Sequence, residues 1–376
     1  MLNRLFSGPA ERRSVYVDST GRVSRTAVDT WAGVPVDTES ALSVPAIWRA
    51  VTMISDTVGA LSIHAYRNDQ IIEPTPRILE RPYALETRVE TFSAMAAALI
   101  IHGNYIAILG EPGPSGYPES FYPVAPDRVT VFREKGERFY RVDNEPIPYT
   151  SSQILHIKGF SLPGDLVGLG ILAAQRQGIA AAVAVLEYAA RYFDGGAMPS
   201  YVLKSENDDL TEIEAQALKS KWMEVYGGRN REPVVLNSST SALPLNANAN
   251  DAQLIETRLQ STSDAANIVG IPGTMVGAPN SSRTYSNVEA QALEYLRTSI
   301  MPITSRIESA LSDYLPRGQR ARFSYDSLLR ADTLTRYQAH EIALRAGFLT
   351  VDEIRELEDR PPAGVPIETG TEDSPV

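Results

Sequence analysis

The side chains able to do chemistry are few and scattered. The four histidines, His64, His102, His156 and His340, stand far apart. Metal sites need ligands at short fixed spacings, such as HExxH or paired carboxylates, and none flanks these residues. His102 closes an apolar stretch and His156 alternates within one. Both are expected to be structural histidines with satisfied ring nitrogens. Asp208 and Asp209 are adjacent and precede a helix start, which fits an exposed turn better than a metal pair. No serine sits in GxSxG and no segment fits GxxxxGK[ST], so the chain lacks a nucleophile elbow and a P-loop. Gly168-Leu169-Gly170 is too short for a dinucleotide fingerprint. The expectation is a chain with no catalytic centre, no cofactor and no metal. What remains is a polar run, Asn280, Ser281, Ser282, Arg283, Thr284 and Tyr285, in which Arg283 is the only charge. Such a run can face a polar ligand or a moving polymer, or be an ordinary connection.

Two helices must position this run. Leu254, Ile255, Leu259, Ala265, Ala266 and Val269 form one apolar stripe. Val288, Ala292, Leu296, Ile300, Ile303, Ile307, Leu311 and Tyr314 form another, at helical spacing. Between them, 271–287 holds two prolines, two glycines and small polar residues, so it reads as a loop that is long for a compact domain. Ser286 and Glu289 make a capping box for the second helix. Pro302 lies inside that helix and should kink it. A kinked long helix beside an exposed loop fits an assembly part better than a catalytic pocket.

The chain has 376 residues, 43% hydrophobic, enough for two or three domains. Cysteine is absent, which excludes disulfides and thiolate metal sites and fits a reducing compartment. No apolar run reaches the length of a membrane span, and the first residues lack a signal-peptide core, so a soluble, non-secreted chain is expected. The net charge is -11, and residues 351–376 hold eight acids against two arginines. This balance excludes broad phosphate neutralisation, and the acidic end reads as a solvated tail.

In chain order, 1–37 reads as a flexible arm. A helix follows Ser43 to about Val58, then a strand over 61–67. A helix over 89–102 ends at Gly103, and a strand covers 104–109. A hairpin joins 128–134 to 137–142 around Lys135-Gly136, and 153–157 is another strand. This first part is α+β with a mostly antiparallel sheet. A long helix covers 171–193. Thr211 and Glu214 cap a helix to about 226. Two strand-like runs, 233–236 and 242–245, form a small β insertion between helices. After the second long helix come a strand at 320–325, a helix at 332–346, and a last short helix capped by Thr350 and Glu353.

Several stretches resemble tailed-phage portal proteins of the HK97 type. They are SVPAIWRAVTMISDTVGALSIHAYR (43–67), HGNYIAIL (102–109), SSQILHIKGFSLPGDLVGLGIL (151–172), YAARYFDGGAMPSYVL (188–203), ETRLQSTSDAANIVGIPGTMVG (256–277), TYSNVEAQALEYLRTSIMPITSRIESAL (284–311) and LTVDEIRELEDRPP (349–362). They occur in the family's order and span nearly the whole chain.

The resemblance implies an α+β protomer that assembles into a ring, usually of twelve copies, at one capsid vertex. It implies a wing over 38–209, stem helices at 210–228 and 250–270, and a β clip at 229–249. It further implies a tunnel loop at 271–287, a long wing helix and strand at 288–329, a short crown at 330–360 and a disordered acidic tail at 361–376. The implied role is a conduit for double-stranded DNA during packaging and ejection. Implied partners are the large terminase, the major capsid protein and scaffold, and the head–tail connector. The implied location is the virion, after assembly in the host cytoplasm, with no membrane contact. Asn280, Ser281, Ser282, Arg283, Thr284 and Tyr285 would face the bore. Arg229, Asn230, Arg231 and Glu232 would lie at the clip and meet terminase or connector. The alternatives are a metal-dependent hydrolase or nuclease with an unrecognised site, which a metal-dependence assay would reveal, and an adaptor that never forms a ring.

Overall fold

The computed structural model describes residues 30–143, 145–194, 201–205, 211, 216, 217, 220, 240–244, 248–278, 285–325, 328, 333–358 and 360–362. The chain divides into one unit through Phe323 and a second from Ser324.

The first unit begins with a short helix that the sequence reading passed over, α1 (Thr38–Leu42). Asp37 and Ser40 cap it reciprocally. Helix α2 (Pro45–Ala60) follows, with Pro45 at a position where its missing N–H costs nothing. Ile47, Val51, Ile54 and Val58, at helical spacing, form its buried stripe. Strands β1 (Ser62–Arg67) and β2 (Gln70–Ile71) and the turn-length α3 (Arg77–Glu80) lead to α4 (Arg88–Ile101). Thr87 and Glu90 box its start. α4 packs on α2 and buries Phe92, Met95, Ala96 and Leu99. Full burial of each large apolar side chain stabilises by about 1.5–3 kcal/mol, so this helix pair anchors the unit.

Among the described residues the strands form four small sheets, where the first part was expected to hold one. β3 (Asn104–Leu109) pairs antiparallel with β4 (Phe121–Val124) and β8 (Ile154–Lys158). The predicted hairpin, β5 (Val129–Glu134) and β6 (Glu137–Val142), joins β7 (Tyr149–Thr150). β11 (Gln319–Ser324) pairs with β1, beside β2. Ile106 and Ile154 of one sheet share a core with Val129, Val131, Tyr140 and Val142 of another. The predicted 171–193 helix is two helices, α5 (Ile171–Ala174) and α6 (Arg176–Asp194), divided at Gln175. The second run of the β insertion appears as β10 (Thr240–Pro244). Its partner is β9 (Tyr201–Ser205), which precedes the insertion in the chain. The run at 233–236 and the Thr211–Glu214 capping box lie largely outside the described residues.

The two helices expected on either side of the polar run are α7 (Asn248–Val269), then α8 (Tyr285–Tyr295) and α9 (Met301–Ser312), joined by a π turn at Leu296–Ile300. Pro302 does disturb this helix, in the form of that π turn. Its ring has no N–H and crowds the carbonyl of Thr298, and a widened turn makes room. The helix starts at Tyr285, so Ser286 lies inside its first turn and is not its cap.

A knot of backbone ties α4, β3, β8, the 159–170 loop and α9 together. Gly103, the first residue past α4, has φ +72. A Cβ there would collide with the backbone of Leu169 and Gly170. Gly103 O accepts from Gly159 N (2.7 Å), and Phe160 O accepts from Leu169 N (2.6 Å). The buried Asn104 amide donates to His102 O and Gly168 O (both 2.9 Å), and its Oδ1 accepts from Gly168 N (2.6 Å). His156 Nε2 stands 3.1 Å from the same Oδ1, and His156 Nδ1 stands 3.1 Å from the Tyr140 hydroxyl. Asn104 Oδ1 can only accept, so Nε2 carries the ring proton and Nδ1 accepts from Tyr140. Burial, with Arg138 and Lys158 nearby, pushes His156 down to about 3, so the ring is neutral. His102 is lowered by burial as well. His156, with both ring nitrogens bonded, is structural, as its sequence setting indicates. Arg306 of α9 donates to Lys158 O (3.2 Å) and Gly159 O (3.0 Å), and Tyr314 to Ile154 O (3.1 Å).

The second unit holds α10 (Thr333–Ala346) and α11 (Val351–Leu357). Glu358 accepts from Arg336 (2.9 Å) and from His340 (3.0 Å), clamping the end of α11 to α10. The predicted cap is present: Thr350 Oγ1 accepts from Glu353 N (3.3 Å), and Glu353 Oε2 from Thr350 N (2.7 Å). Thr350→Ala should cost about 1 kcal/mol. Amide exchange across 351–357 should then accelerate about fivefold. Unchanged exchange would count against the cap.

Candidate functional site

The polar run predicted to do the work falls mainly outside the described residues: Asn280, Ser281, Ser282, Arg283 and Thr284 all lie there. Tyr285 opens α8 and so belongs to the helix, not to the loop. Arg229, Asn230, Arg231 and Glu232 also lie outside the described residues. What the structure does define is the frame from which the run is presented.

That frame is shorter and firmer than the 271–287 loop expected from composition. α7 ends on Gly270 at φ +81, with Gly270 N and Ile271 N both bonded to Ala266 O (2.9 and 3.1 Å). Ile271 is buried. A 3-10 turn covers Gly273–Val276 and closes on Gly277 at φ +87. Ala278 N returns to Gly273 O at 2.9 Å. Four side-chain bonds pin the two ends together. Ser299 Oγ donates to Gly270 O (2.6 Å), joining the π turn to the end of α7. Thr274 Oγ1 donates to Gln291 Oε1 (3.2 Å), joining the 3-10 turn to α8. Tyr295 OH bonds Met53 O (3.2 Å) and Thr57 Oγ1 (3.1 Å), fixing α8 to α2. The described backbone on either side of 279–284 is therefore tied to neighbouring elements, through Ala278 on one side and α8 on the other. Composition could not reveal this, because each tie joins residues distant in sequence.

Beside this frame, α7 packs against α6 and leaves a groove of about 760 Å³. Small residues of α6, Gly178, Ala181, Ala182 and Val185, form one side. Glu256 and Asp264 stand on the α7 side. Asp264 accepts from Gln260 Nε2 at 2.9 Å.

Among the described residues no group of three or more His, Cys, Asp or Glu could hold a metal ion. No helix among them is long and apolar enough to cross a membrane. The glycine knot is the feature sequence reading missed. Its signal was Gly103-Asn104, read only as a helix end and strand start, together with Gly168-Leu169-Gly170, weighed only as a nucleotide fingerprint.

The family model for phage portal protein matches residues 45–359. The chain is 26% identical over 345 residues to the portal protein of Enterobacteria phage HK97, covering 87% of this chain and 81% of that one. Its fold is similar to the crystal structure of an HK97 family phage portal protein from Corynebacterium diphtheriae. The TM-score is 0.62 at 18% identity, covering 79% of this chain and 97% of that one. It is also similar to a chain from the neck of a native gene transfer agent particle computed with C12 symmetry. There the TM-score is 0.59 at 24% identity, covering 92% of this chain and 100% of that one. With a match this long, running from the start of α2 to past the end of α11, the chain belongs to the phage portal protein family.

Proposed function

We propose that this chain is a structural conduit: copies of it close into a ring at one capsid vertex, and the genome passes through the centre. The observation that carries this reading is the family match over 45–359. The likeness to a neck subunit in a twelve-fold particle supports twelve copies. Such a ring closes through heterologous contacts related by rotation. Within it, 271–284 together with the start of α8 is the tunnel loop, 210–228 and 250–270 the stem, 229–249 the clip and 330–360 the crown.

The charge balance suits this role. A bore that neutralised many phosphates would bind the duplex tightly and stall it. A chain of net charge -11, with Arg283 as the sole charge of its polar run, offers brief phosphate contact and little grip. Asn280, Ser281, Ser282, Arg283, Thr284 and Tyr285 face the DNA. Arg229, Asn230, Arg231 and Glu232 meet the large terminase and later the connector, and the ring also meets the major capsid protein and scaffold.

Negative-stain imaging and solution mass test the ring. Rings with a hole wide enough for a duplex are expected, and a protein that stays monomeric even with capsid and scaffold present would overturn the reading. In a packaging assay, Arg283→Ala and deletion of 279–284 should both reduce packaged DNA. Wild-type packaging by both variants would remove the loop from the bore.

A further inference from the structure

The 159–170 loop carries an ordered turn that holds two apolar side chains out to solvent. Leu162 N donates to Asp165 Oδ2 (3.0 Å), Asp165 N to Leu162 O (3.1 Å), and Lys158 Nζ to Asp165 O (3.0 Å). At the base of the turn Phe160 pairs with Leu169, and Gly159 N is held by Gly103 O. Yet Phe160 is 63% exposed and Leu162 56%. Two neighbouring large apolar groups on a fixed turn mark an interaction site, which a single exposed leucine does not. The flank of the turn is basic. Lys158 stands at its foot, and the exposed Arg306 donates to Gly159 O (3.0 Å). Asp165, the one acid of residues 158–166, is engaged with Leu162 N.

The α6–α7 groove has the complementary character. Gly178, Ala181, Ala182 and Val185 line it with small apolar groups, and Glu256 and Asp264 make its α7 side acidic. From Gly178 to Val185 it runs about 10 Å along α6. Phe160 and Leu162 lie two residues apart, at most about 7 Å, so both fit within that length. A Cβ on Gly178 would stand 3.2 Å from Ile268 Cδ1, so glycine keeps that end of the groove open. The turn is exposed and the groove open in the same chain, so the two do not meet within one copy. A surface that carries both a knob and a matching hole associates head to tail, and such contacts close into rings when the rotation allows.

We infer that Phe160 and Leu162 of one copy insert into the α6–α7 groove of the next, with Lys158 and Arg306 facing Glu256 and Asp264. This rests on the ring reading above and names two surfaces that meet in it. The turn is preformed, so docking orders little new chain. The ion pairs set the orientation of the contact more than its strength.

The chain has no cysteine, so introduced residues supply its only thiols. Leu162→Cys and Gln260→Cys in one chain place a thiol on the turn and another beside the groove. The variant is assembled with capsid protein and scaffold, oxidised mildly and imaged by negative stain. A ladder of disulfide-linked multimers is expected on a non-reducing gel, with peptide mapping joining 162 to 260 and neither single variant linking. Ala181→Trp, which fills the groove from an exposed position, should cut the ladder at least about fivefold. Thermal unfolding of the reduced proteins checks that each variant remains folded. Rings without the ladder overturn this contact and leave the ring reading standing. A ladder without rings keeps the contact and overturns the ring reading. Neither rings nor ladder overturns both. Linkage that stops at dimers, or that closes within one chain, overturns the head-to-tail contact.

Discussion

Gly103→Ala should lower the unfolding free energy by about 2–5 kcal/mol. Two costs add. At φ +72 any side chain meets the left-handed penalty of about 1–2 kcal/mol. The new methyl would also strike the backbone of Leu169 and Gly170, which cannot rotate aside, and overpacking of that kind typically costs about 1–3 kcal/mol. The control is Gly164→Ala. Gly164 has φ +93 but open space around its Cβ position, so only the first cost applies. Denaturant titration of both variants separates the two. Equal losses would mean that the 159–170 loop moves away freely and that the knot is not tight.

Acid should weaken the same knot. The neutral His156 ring holds two bonds, and its folded value is pushed down to about 3, against an ordinary histidine near 6.5. Between those values the unfolded chain binds a proton that the folded chain does not, so stability falls as pH falls. It is fully present above about pH 6.5 and drains away toward about pH 3. Between pH 7 and pH 4 the loss attributable to this residue is about 3 kcal/mol. The comparison is the slope of unfolding free energy against pH in wild type and His156→Gln. The variant should be less stable at pH 7 and flatter below it. Parallel slopes would show that His156 does not carry the acid sensitivity.

The helices and hairpins with regular apolar periods were legible to within a residue or two. α2, α4, the β5–β6 hairpin and α11 follow directly from their stripes and caps. Short elements were not. α1 has five residues, β4 carries a proline, and the Gly273–Val276 turn is a single turn, so none holds a full period. The division into separate small sheets was hidden too, because β11 reaches β1 across most of the chain. The same limit explains the glycine knot. Gly103 and Gly170 matter to each other only once α4 and the 159–170 loop have been brought together. The polar run was visible from its composition, while the fixed points that present it depend on tertiary bonds from Ser299, Thr274 and Tyr295.

The π turn at Leu296–Ile300 gives this architecture a rotary adjustment. A π turn holds one residue more than the α turn it replaces. Removing one exposed residue there, Arg297 or Thr298, would restore regular helix and swing α8 about 100° around its axis relative to α9. The first turn of α8 would then be rotated by that angle relative to α9, although its own sequence had not changed. A single-residue change of length at this turn would thus re-aim α8 while α9 keeps its seat on β8.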